Sequence, residues 1–211
     1  PFEITGDQEI SEELRLKYRF LDLRRASMVK NLTTRFQITK IARDYFAKLG
    51  FLEIETPFLT KSTPEGSRDF LVPARLSPGA FYALPQSPQL FKQILMVAGI
   101  DRYFQIVRCF RDEDMRADRQ LEHTQLDVEM SFVTEEDVMG TMENLIAEIL
   151  GAVTGFKVSL PLRRLPYADA MNRFGSDKPD LRFGMEIRDV TDLLRGSQSK
   201  IFEGTFAAGG V

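Results

Sequence analysis

The stretch that decides the fold is DRYFQIVRCFRDEDMRADRQLEHTQLDVEMSF, from Asp101 to Phe132. Two segments of alternating side chains flank a loop rich in charged residues, which predicts two paired strands. The first strand has two faces, with Phe104, Ile106 and Phe110 on one and Tyr103, Gln105 and Arg111 on the other. We expect the first face to pack on the core, while Arg111 ends the mixed face at the edge of the loop.

The second strand has a polar face, which is unusual for a strand. Its apolar face carries Thr124, Leu126, Val128, Met130 and Phe132, and its polar face carries His123, Gln125, Asp127 and Glu129. Together with Arg111, the polar face offers a guanidinium, carboxylates, an amide and a ring that can stack. These groups suit a nucleotide together with a small amine or acid. A solvated face with surface ion pairs explains the same pattern, and the hairpin alone does not choose between the two.

The composition is that of an ordinary globular protein. The chain has 211 residues, of which 43% are hydrophobic and 28% are charged, enough for one well-buried domain. A formal net charge of -3 argues against a diffuse surface for polyanions, so any nucleic acid must be bound locally. No apolar run approaches the roughly 18 residues that span a bilayer, and the N-terminus lacks a basic-then-apolar signal pattern. We therefore expect a soluble, cytoplasmic protein without a membrane partner.

The chain has one cysteine, Cys109, and one histidine, His123. These counts argue against an internal disulfide and a histidine-rich metal site, and they leave little acid-base chemistry to histidine. The two residues fall on facing strands, so a nucleophilic Cys109/His123 pair is one hypothesis, although the sequence suggests no third group to orient it. A packed, unreactive Cys109 is the other hypothesis and the one that we favour.

The remaining sequence predicts helices and short strands around the hairpin. Residues 1–11 read as an extended linker, and apolar residues at helical spacing predict a long helix over 12–49 that ends at Gly50. A strand at 51–55 ends at Thr56-Pro57, because proline lacks the N–H that a continuing strand pair needs. Further predicted elements are strands at DFLV and FYAL, a helix at Gln89–Ala98, and a helix from Thr134 to Leu150 with a Thr134/Asp137 capping box.

Two short segments carry candidate binding residues. Gln89 and Lys92 lie one turn apart on one helix face, where a lysine can meet a carboxylate and a glutamine can bond to an amine or amide. The loop KSTPEGSRDF exposes Glu65 and Arg68, which fits either a lid or a solvated loop. An ordinary surface role is the alternative for each segment, and the separate patterns do not decide it.

Five segments, in order along the chain, closely resemble the family of bacterial-type aspartyl-tRNA synthetases. They are FLEIETPFL, STPEGSRDF, ALPQSPQLFKQ, CFRDEDMRADRQLEHTQLDVEMSF and RFGSDKPDLRFG. The resemblance covers nearly the whole chain, and five motifs in register are far more specific than any one. PQSPQLFKQ, with Lys92, resembles the aspartate enzymes rather than their asparagine and lysine relatives. GSDKPDLRFG resembles the start of the insertion domain that marks the bacterial type.

The resemblance implies a class II synthetase core of the α+β class, an antiparallel sheet flanked by helices, followed by the start of an inserted domain. The long helix and FLEIETP would be motif 1 and form a homodimer interface, and CFRDED through VEMSF would be motif 2. The resemblance also implies a division of the chain into three parts. Residues 1–11 would be a linker from an anticodon-binding domain, residues 12–178 the N-terminal part of the catalytic core, and residues 179–211 a truncated insertion domain.

The resemblance also implies roles for single residues. Arg111 would be the catalytic residue, contacting the α-phosphate of ATP and the carboxylate of the amino acid. The aspartate pocket would consist of Glu65, Ser87, Gln89, Lys92, Arg111 and Asp127, with Glu65 on a loop that closes over the amino acid. The ATP contacts would be Arg111, Glu113, Gln120 and His123. The acceptor end of tRNA would meet Arg116 and Arg119 on the loop at 112–119.

The implied activity is that of an aspartate-tRNA ligase. With ATP and Mg²⁺, it would convert L-aspartate to aspartyl-adenylate and transfer the aspartyl group to the 3′ end of tRNA(Asp). The chemistry suits these residues, because displacement at phosphorus needs alignment and charge stabilisation more than a proton-transfer group. No metal ligand is implied within these 211 residues.

Two features depart from the family pattern. His123 stands where the family more often has a phenylalanine that stacks on adenine, although a histidine can also stack. The chain ends at Val211, before the third class motif, so we expect an incomplete active site that is weakly active or inactive alone. The alternatives that stay open are an asparagine-activating relative, a dimerisation module, and a non-catalytic RNA-binding paralogue that uses Arg116, Arg119 and the Arg15–Arg25 region.

Overall fold

The structure is a computed structural model that describes Phe2, Ile4 and residues 9–116, 119–197 and 199–209. The chain divides into two units, Pro1–Pro161 and Leu162–Val211. The expected division into 1–11, 12–178 and 179–211 follows family motifs rather than compactness, and it stays a prediction. Part of the expected linker lies outside the described residues.

Helices and short strands alternate along the chain. The helices are α1 (Glu12–Lys17), α2 (Arg19–Asp22), α3 (Ala26–Lys48), α4 (Gln89–Val97), α5 (Glu135–Thr154), α6 (Tyr167–Phe174), α7 (Thr191–Leu194) and α8 (Lys200–Ala207). The strands are β1 (Leu52–Glu53), β2 (Leu71–Pro73), β3 (Phe81–Ala83), β4 (Arg102–Phe110) and β5 (Glu122–Met130). Among the described helices, none is long and apolar enough to cross a membrane.

The main sheet has the strand order β1-β4-β5. The central pair β4-β5 is antiparallel, and β1 joins β4 in parallel as a short edge, because pairing is limited to Leu52 and Glu53 of the predicted strand 51–55. β2 and β3 form a separate antiparallel pair. Helices α3 and α5 pack together against one side of the main sheet, and α4 packs on β4 and β5. The expected α+β class, with an antiparallel sheet flanked by helices, is confirmed.

The core lies between α3, α5 and the apolar face of the hairpin. Phe46 is fully buried, and its ring stacks on Phe104 with 5.0 Å between centroids. The other members of the buried cluster are Ala42, Phe51 and Leu145, with Leu126, Val128 and Met130 packed against it. The predicted apolar face is confirmed at these positions. Burying a phenylalanine side chain stabilises a fold by about 1.5–3 kcal/mol, so this cluster fixes the hairpin on the helices.

The hairpin ends at Met130, which pairs with Arg102. The sequence analysis extended the apolar face to Phe132, and this part of the prediction is wrong. Phe132 lies beyond the last strand pair with its side chain fully exposed, and its φ of 56° turns the chain out of the sheet. Thr134 then caps α5 in the predicted capping box with Asp137.

The predicted long helix at 12–49 is interrupted near its start. Residues 12–48 form three helices, α1, α2 and α3, and the long helix begins at Ala26. The interruptions fall at Tyr18 and at 23–25, on either side of α2, whose last residue is the fully buried Asp22. Periodicity could not show the break, because the apolar residues keep helical spacing on both sides of it. The predicted stop is confirmed at Gly50, which has a left-handed φ of 77°.

Three arginines surround the Asp22 carboxylate. Arg15 Nε donates to Oδ1 at 2.9 Å, Arg19 donates to Oδ2 at 2.5 Å, and Arg25 lies 3.8 Å from Oδ1. The hydrogen bonds from Arg15 lower the pKa of Asp22 and outweigh the opposite effect of burial. Charge-assisted bonds of this kind satisfy a buried carboxylate, so Asp22 ties α1, α2 and the start of α3 together.

The second unit contains α6, α7 and α8. A two-point ion pair joins Arg173 at the end of α6 to Glu186, with the shorter distance 2.5 Å. The Ile187 N–H donates to the Arg173 carbonyl at 2.6 Å, and Gly175 takes a left-handed φ of 67° after the helix. The motif RFGSDKPDLRFG therefore forms the turn between α6 and the extended segment that follows it.

We predict that Asp22→Asn lowers the thermal unfolding midpoint at neutral pH and that its difference from wild type shrinks in acid. The folded-state pKa of Asp22 is lowered, so its carboxylate contributes stability above a pH of about 4 and loses it as pH falls through the folded-state value. Unfolding midpoints from neutral pH down to about pH 3 measure this.

Asp44→Asn is the matched control for this experiment. Asp44 pairs with Lys40 on the surface of α3, and exposed ion pairs contribute little to stability. Its midpoint should therefore stay close to that of the wild type. A loss in Asp22→Asn that is independent of pH would contradict a role for the ionised carboxylate.

Candidate active site

The polar face of the hairpin consists of two rows of side chains in register. The cross-strand pairs on this face are Tyr103–Glu129, Gln105–Asp127, Val107–Gln125 and Cys109–His123. At the rise of a strand, the row from His123 to Glu129 is about 20 Å long. This face can therefore contact a ligand with two chemically different ends.

The floor of this face is more buried than the alternation predicts. Tyr103 and Cys109 are fully buried, Val107 is 1% exposed and Gln105 is 4% exposed. The sequence analysis predicted that only the apolar face of β4 is buried. This prediction is wrong, because the mixed face is buried too. The reason is α4, which packs across β4 and β5. Polar groups on a covered face need partners, because unpaired ones are costly away from water.

Lys92 projects from α4 onto two carboxylates of β5. Its Nζ lies 3.0 Å from Asp127 Oδ1 and 3.1 Å from Glu129 Oε2. The side chain of Lys92 is 11% exposed and that of Asp127 is 3% exposed, so their ion pair is largely shielded from water. The structure therefore excludes an ordinary surface role for this lysine.

Burial and pairing act in opposite directions on this ion pair. Burial alone would lower the pKa of Lys92, but the hydrogen bonds and charges of Asp127 and Glu129 outweigh it and leave that pKa raised. Burial raises the pKa of Asp127, and the hydrogen bond from Lys92 offsets part of this effect. The Asp127 carboxylate would therefore gain from a second cationic partner.

Two buried polar atoms of this face have no hydrogen-bond partner among the described residues. They are Asp127 Oδ2 and Arg111 Nε. An unpaired buried donor or acceptor costs about 1–3 kcal/mol, so each needs a physical explanation. One is an anionic acceptor beside Lys92, and the other is a cationic donor at the loop end of the face. A ligand that offers a donor at one end and an acceptor at the other would satisfy both.

Gln125 holds the Asp127 carboxylate in place, and the Gln105 amide lies on the neighbouring strand. Gln125 Nε2 donates to Asp127 Oδ1 at 3.0 Å. Behind it, the Gln105 amide is best satisfied when its nitrogen donates to Thr56 Oγ1 at 3.0 Å and to the Tyr103 oxygen at 2.8 Å. Burial and the Asp127 charge both raise the pKa of Tyr103, so the phenol stays protonated.

Glu65 lies over the start of α4. The Ser87 hydroxyl donates to Glu65 Oε2 at 2.8 Å, and the Thr63 hydroxyl donates to Glu65 Oε1 at 3.0 Å. The same Ser87 oxygen accepts from the Gln89 N–H at 3.3 Å. The loop that carries Glu65 is thus folded onto the start of α4.

The loop after Arg111 forms a charged rim. The Ser67 hydroxyl bonds to the Glu113 carboxylate, and Arg119 lies 3.5 Å from Glu113 Oε2. The hydrogen bond from Ser67 lowers the pKa of Glu113, and the charge of Arg119 adds to this effect. Arg116 and Arg119 help to line a cavity of about 340 Å³ beside the loop. Positions 117 and 118 of the predicted tRNA loop lie outside the described residues.

The remaining predicted contacts lie at the edge of this arrangement. Gln120 is exposed at the end of the loop, and His123 is half-buried opposite Cys109. Cys109 is fully buried, its thiol bonds to Gln125 Oε1 at 3.5 Å, and burial raises its pKa to about 11. The thiol therefore stays protonated, which confirms a packed cysteine and removes the nucleophile from a Cys109/His123 pair.

Sequence reasoning missed several residues that hold the site. The sequence analysis assigned Gln125 and Glu129 to the polar face but not to the site. Gln125 donates to Asp127, and Glu129 pairs with Lys92. Alternation along β5 was a sufficient signal for both. Gln86 bonds to the main chain of Ser67, a residue 19 positions away, and no local pattern indicates that contact.

The comparisons with known proteins agree with this arrangement. The sequence model of the family described as tRNA synthetases class II (D, K and N) matches residues 11–202. The chain is 60% identical over 210 residues to the aspartate-tRNA(Asp/Asn) ligase of Symbiobacterium thermophilum, a match covering 100% of this chain and 35% of the relative. It is 58% identical over 211 residues to the ligase of the same name from Aquifex aeolicus, with the same coverage. The chain spans about a third of the length of these relatives.

A solved structure from Leishmania major Friedlin that carries the name aspartyl-tRNA synthetase has a similar fold. Its TM-score is 0.62 at 24% identity, over 72% of this chain and 29% of that one. At this identity the likeness concerns the fold alone. The family match runs through α3, the Glu65 loop, α4 and the hairpin. The chain therefore belongs to the class II tRNA synthetases of the D, K and N group.

Proposed function

We propose that this chain carries the amino-acid and ATP sites of an aspartate-tRNA ligase. The reaction would join L-aspartate to AMP from ATP and then pass the aspartyl group to the 3′ end of tRNA. The single observation that carries the proposal is a pair of buried atoms on one polar face, Asp127 Oδ2 and Arg111 Nε, that have no hydrogen-bond partner in the described part of the chain. The names of the relatives, aspartate-tRNA(Asp/Asn) ligases, support the reaction type.

The amino acid fits the Lys92 end of the face. Its ammonium group would donate to Asp127 Oδ2, and it would bring a positive charge to a carboxylate whose pKa is raised by burial. Lys92 would turn a hydrogen bond toward the side-chain carboxylate of aspartate. Asparagine presents a neutral amide there, and a desolvated mismatch of this kind discriminates strongly. Glu65, Ser87 and Gln89 would close the pocket from the side of α4.

The phosphate fits the Arg111 end of the face. The α-carboxylate of aspartate would attack the α-phosphorus of ATP. A bond forms between its oxygen and the phosphorus, while the bond from that phosphorus to pyrophosphate breaks and pyrophosphate leaves. The Arg111 guanidinium would donate to the phosphate oxygens on which negative charge grows. Binding of the amino acid at one end of the face and of the phosphate at the other would align the attacking carboxylate with the phosphorus. No proton has to move in this step. Glu113 and Gln120 would contact the nucleotide, and the His123 ring would lie against adenine.

Mg²⁺ bound with ATP supplies positive charge to the phosphate groups and usually takes one or two carboxylates from the protein. Within the described ranges, no group of three or more histidine, cysteine, aspartate or glutamate side chains could hold a metal ion.

The charged rim would receive the tRNA. Arg116 and Arg119 line the cavity beside the loop and offer local phosphate contacts on a chain whose net charge is -3. The names of the relatives include both tRNA(Asp) and tRNA(Asn), so we extend the proposal from tRNA(Asp) to tRNA(Asn) as a second acceptor. We propose that the protein acts in the cytoplasm.

Amino-acid-dependent exchange of pyrophosphate into ATP by the full-length protein tests the proposed function. We expect exchange with aspartate, none with asparagine or without an amino acid, and none in Arg111→Ala. Exchange with asparagine instead would identify an asparagine-activating relative. No exchange with either amino acid would favour a non-catalytic RNA-binding or dimerisation role, and both results would overturn the proposal.

We predict that Lys92→Ala lowers kcat/KM for aspartate about 10–100-fold and leaves the KM for ATP nearly unchanged, because the variant removes one partner of a shielded charge pair. The measurement is the same exchange assay with one substrate varied at a time. Lys157→Ala is the matched control, since Lys157 is an exposed lysine beyond α5. Equal rises in the KM for aspartate and the KM for ATP would contradict the assignment of Lys92 to the amino acid.

We also propose that α3 forms the interface of a homodimer. Three of its apolar side chains are exposed at helical spacing, Val29 by 48%, Leu32 by 53% and Phe36 by 64%. This spacing puts them on one face of the helix. Exposed apolar stripes mark interaction surfaces, and a symmetric pair of helices would bury this one.

We predict that Phe36→Glu converts a dimer to a monomer, because it places a charge in an apolar contact. Sedimentation equilibrium over a range of protein concentrations measures the change. Phe156→Glu is the control, because Phe156 is 63% exposed but lies outside the α3 stripe. A wild-type monomer, or a Phe36→Glu variant that dimerises as well as the control, is the opposite result.

A further inference from the structure

The loop at 61–69, which carries the lid glutamate, is pinned at both ends by β3 and the residue after it. The Thr60 N–H donates to the Ala83 carbonyl at 3.0 Å, and the Ala83 N–H donates back at 2.8 Å. At the other end, the Leu84 N–H donates to the Phe70 carbonyl at 2.9 Å. The two stems of the loop are therefore fixed, and any movement has to occur between them.

Gln86 clamps one arm of this loop. Its side chain is 3% exposed, and Oε1 accepts from the Ser67 N–H at 3.0 Å while Nε2 donates to the Ser67 carbonyl at 2.9 Å. Nε2 also bonds to the Asp69 carboxylate. Two bonds of opposite direction to one main-chain residue are what an antiparallel strand partner provides. A carboxamide can make both at once, whereas a carboxylate cannot donate and a thioether cannot donate either.

Glu65 lies on the other arm, separated from the clamp by a single glycine. Gly66 has a φ of 103°, a conformation that side chains rarely adopt. Glu65 reaches Ser87 at 2.8 Å, and Ser67 on the far side of Gly66 is held by Gln86. The geometry is that of a short arm that turns about Gly66 on a fixed base.

The clamped residue also touches the nucleotide side of the site. The Ser67 hydroxyl bonds to Glu113, and the Asp112 N–H donates to the Arg68 carbonyl at 3.0 Å. The fixed base of the Glu65 arm is thus shared with the loop that follows Arg111. A residue that holds Ser67 sets the position of Glu65 over the amino acid.

We propose that Gln86 is a positioning residue that fixes Ser67, so that Glu65 closes over the bound amino acid by turning about Gly66. This inference rests on the proposed function. Gln86 itself is buried behind the loop, so it acts through Ser67 and Glu65 and not on the substrates.

Gln86→Met tests the clamp, because methionine is similar in length but makes neither bond. We expect the KM for aspartate to rise about tenfold and the KM for ATP to rise clearly less, because Ser67 reaches the nucleotide side only through Glu113, with kcat within about twofold of wild type. Gln93→Met is the matched control, since Gln93 is exposed on the outer side of α4. Values for Gln86→Met equal to those of the control, or an equal rise in both KM values, would overturn the proposal.

The variant Gln86→Glu distinguishes loss of the clamp from a general loss of stability. The ionised carboxylate can accept from the Ser67 N–H but cannot donate to its carbonyl, whereas the protonated form can do both. The Asp69 carboxylate contacts this position directly, and Glu113, whose charge Arg119 partly balances, faces it across Ser67. Burial and the adjacent Asp69 charge would raise the pKa of the new carboxyl. We expect its aspartate KM to approach the wild-type value as pH falls toward about 6, while Gln86→Met shows no such recovery. If the ratio of the aspartate KM of Gln86→Glu to that of the wild type stays constant as pH falls, the clamp is contradicted.

Hydrogen exchange separates failure of the clamp from failure of the proposed function. Because the Ser67 N–H donates to Gln86, peptides covering 66–69 should lose protection in Gln86→Met and keep it in Gln93→Met. Unchanged protection would overturn the clamp even in an active enzyme. Lost protection in a protein without aspartate-dependent exchange would keep the clamp and reject the proposed function.

Discussion

Lys92 pairs with Asp127 and Glu129 on a face that α4 shields from water, and the rest of the site depends on this interaction. Removing one partner of a buried ion pair typically costs about 3–5 kcal/mol, because the other charge is left uncompensated. The lysine comes from α4 and the carboxylates from β5, so the pairs form when the helix crosses the hairpin in one register. That crossing buries the floor of the polar face, where Asp127 Oδ2 has no hydrogen-bond partner among the described residues.

The hairpin serves as a rigid platform because both faces of β4 are buried. On one face, Phe104 stacks on Phe46 of α3, and on the other, Tyr103 and Gln105 pack beneath α4. The loop at 61–69, held by β3, and residues 112–116 after β4 carry charged groups of the rim. A rigid floor with loops at its edge is how binding sites commonly combine fixed geometry with closure.

The sequence predicted the parts of the fold that follow from periodicity and end signals. Alternation gave both faces of the hairpin, and the Thr134/Asp137 capping box and Gly50 marked helix ends where the structure has them. It failed where a contact between distant residues decides the outcome. α4 covers the mixed face of β4 and Gln86 clamps Ser67, and neither contact leaves a local pattern. The interruptions before α3 also went unpredicted, because helical spacing continues across them. The roles of single site residues came from the resemblance to a family, because a lysine at helical spacing looks the same on any surface.

The most direct test of this account is a crystal structure of the full-length protein with a non-hydrolysable analogue of aspartyl-adenylate. The account predicts that the ammonium group of the ligand bonds to Asp127 Oδ2 and that Arg111 Nε bonds to an oxygen of the phosphate mimic, so that both unpartnered atoms are satisfied by one molecule. A ligand bound elsewhere, or one that leaves either atom unpaired, would contradict the claim that this face binds the two ends of the adenylate.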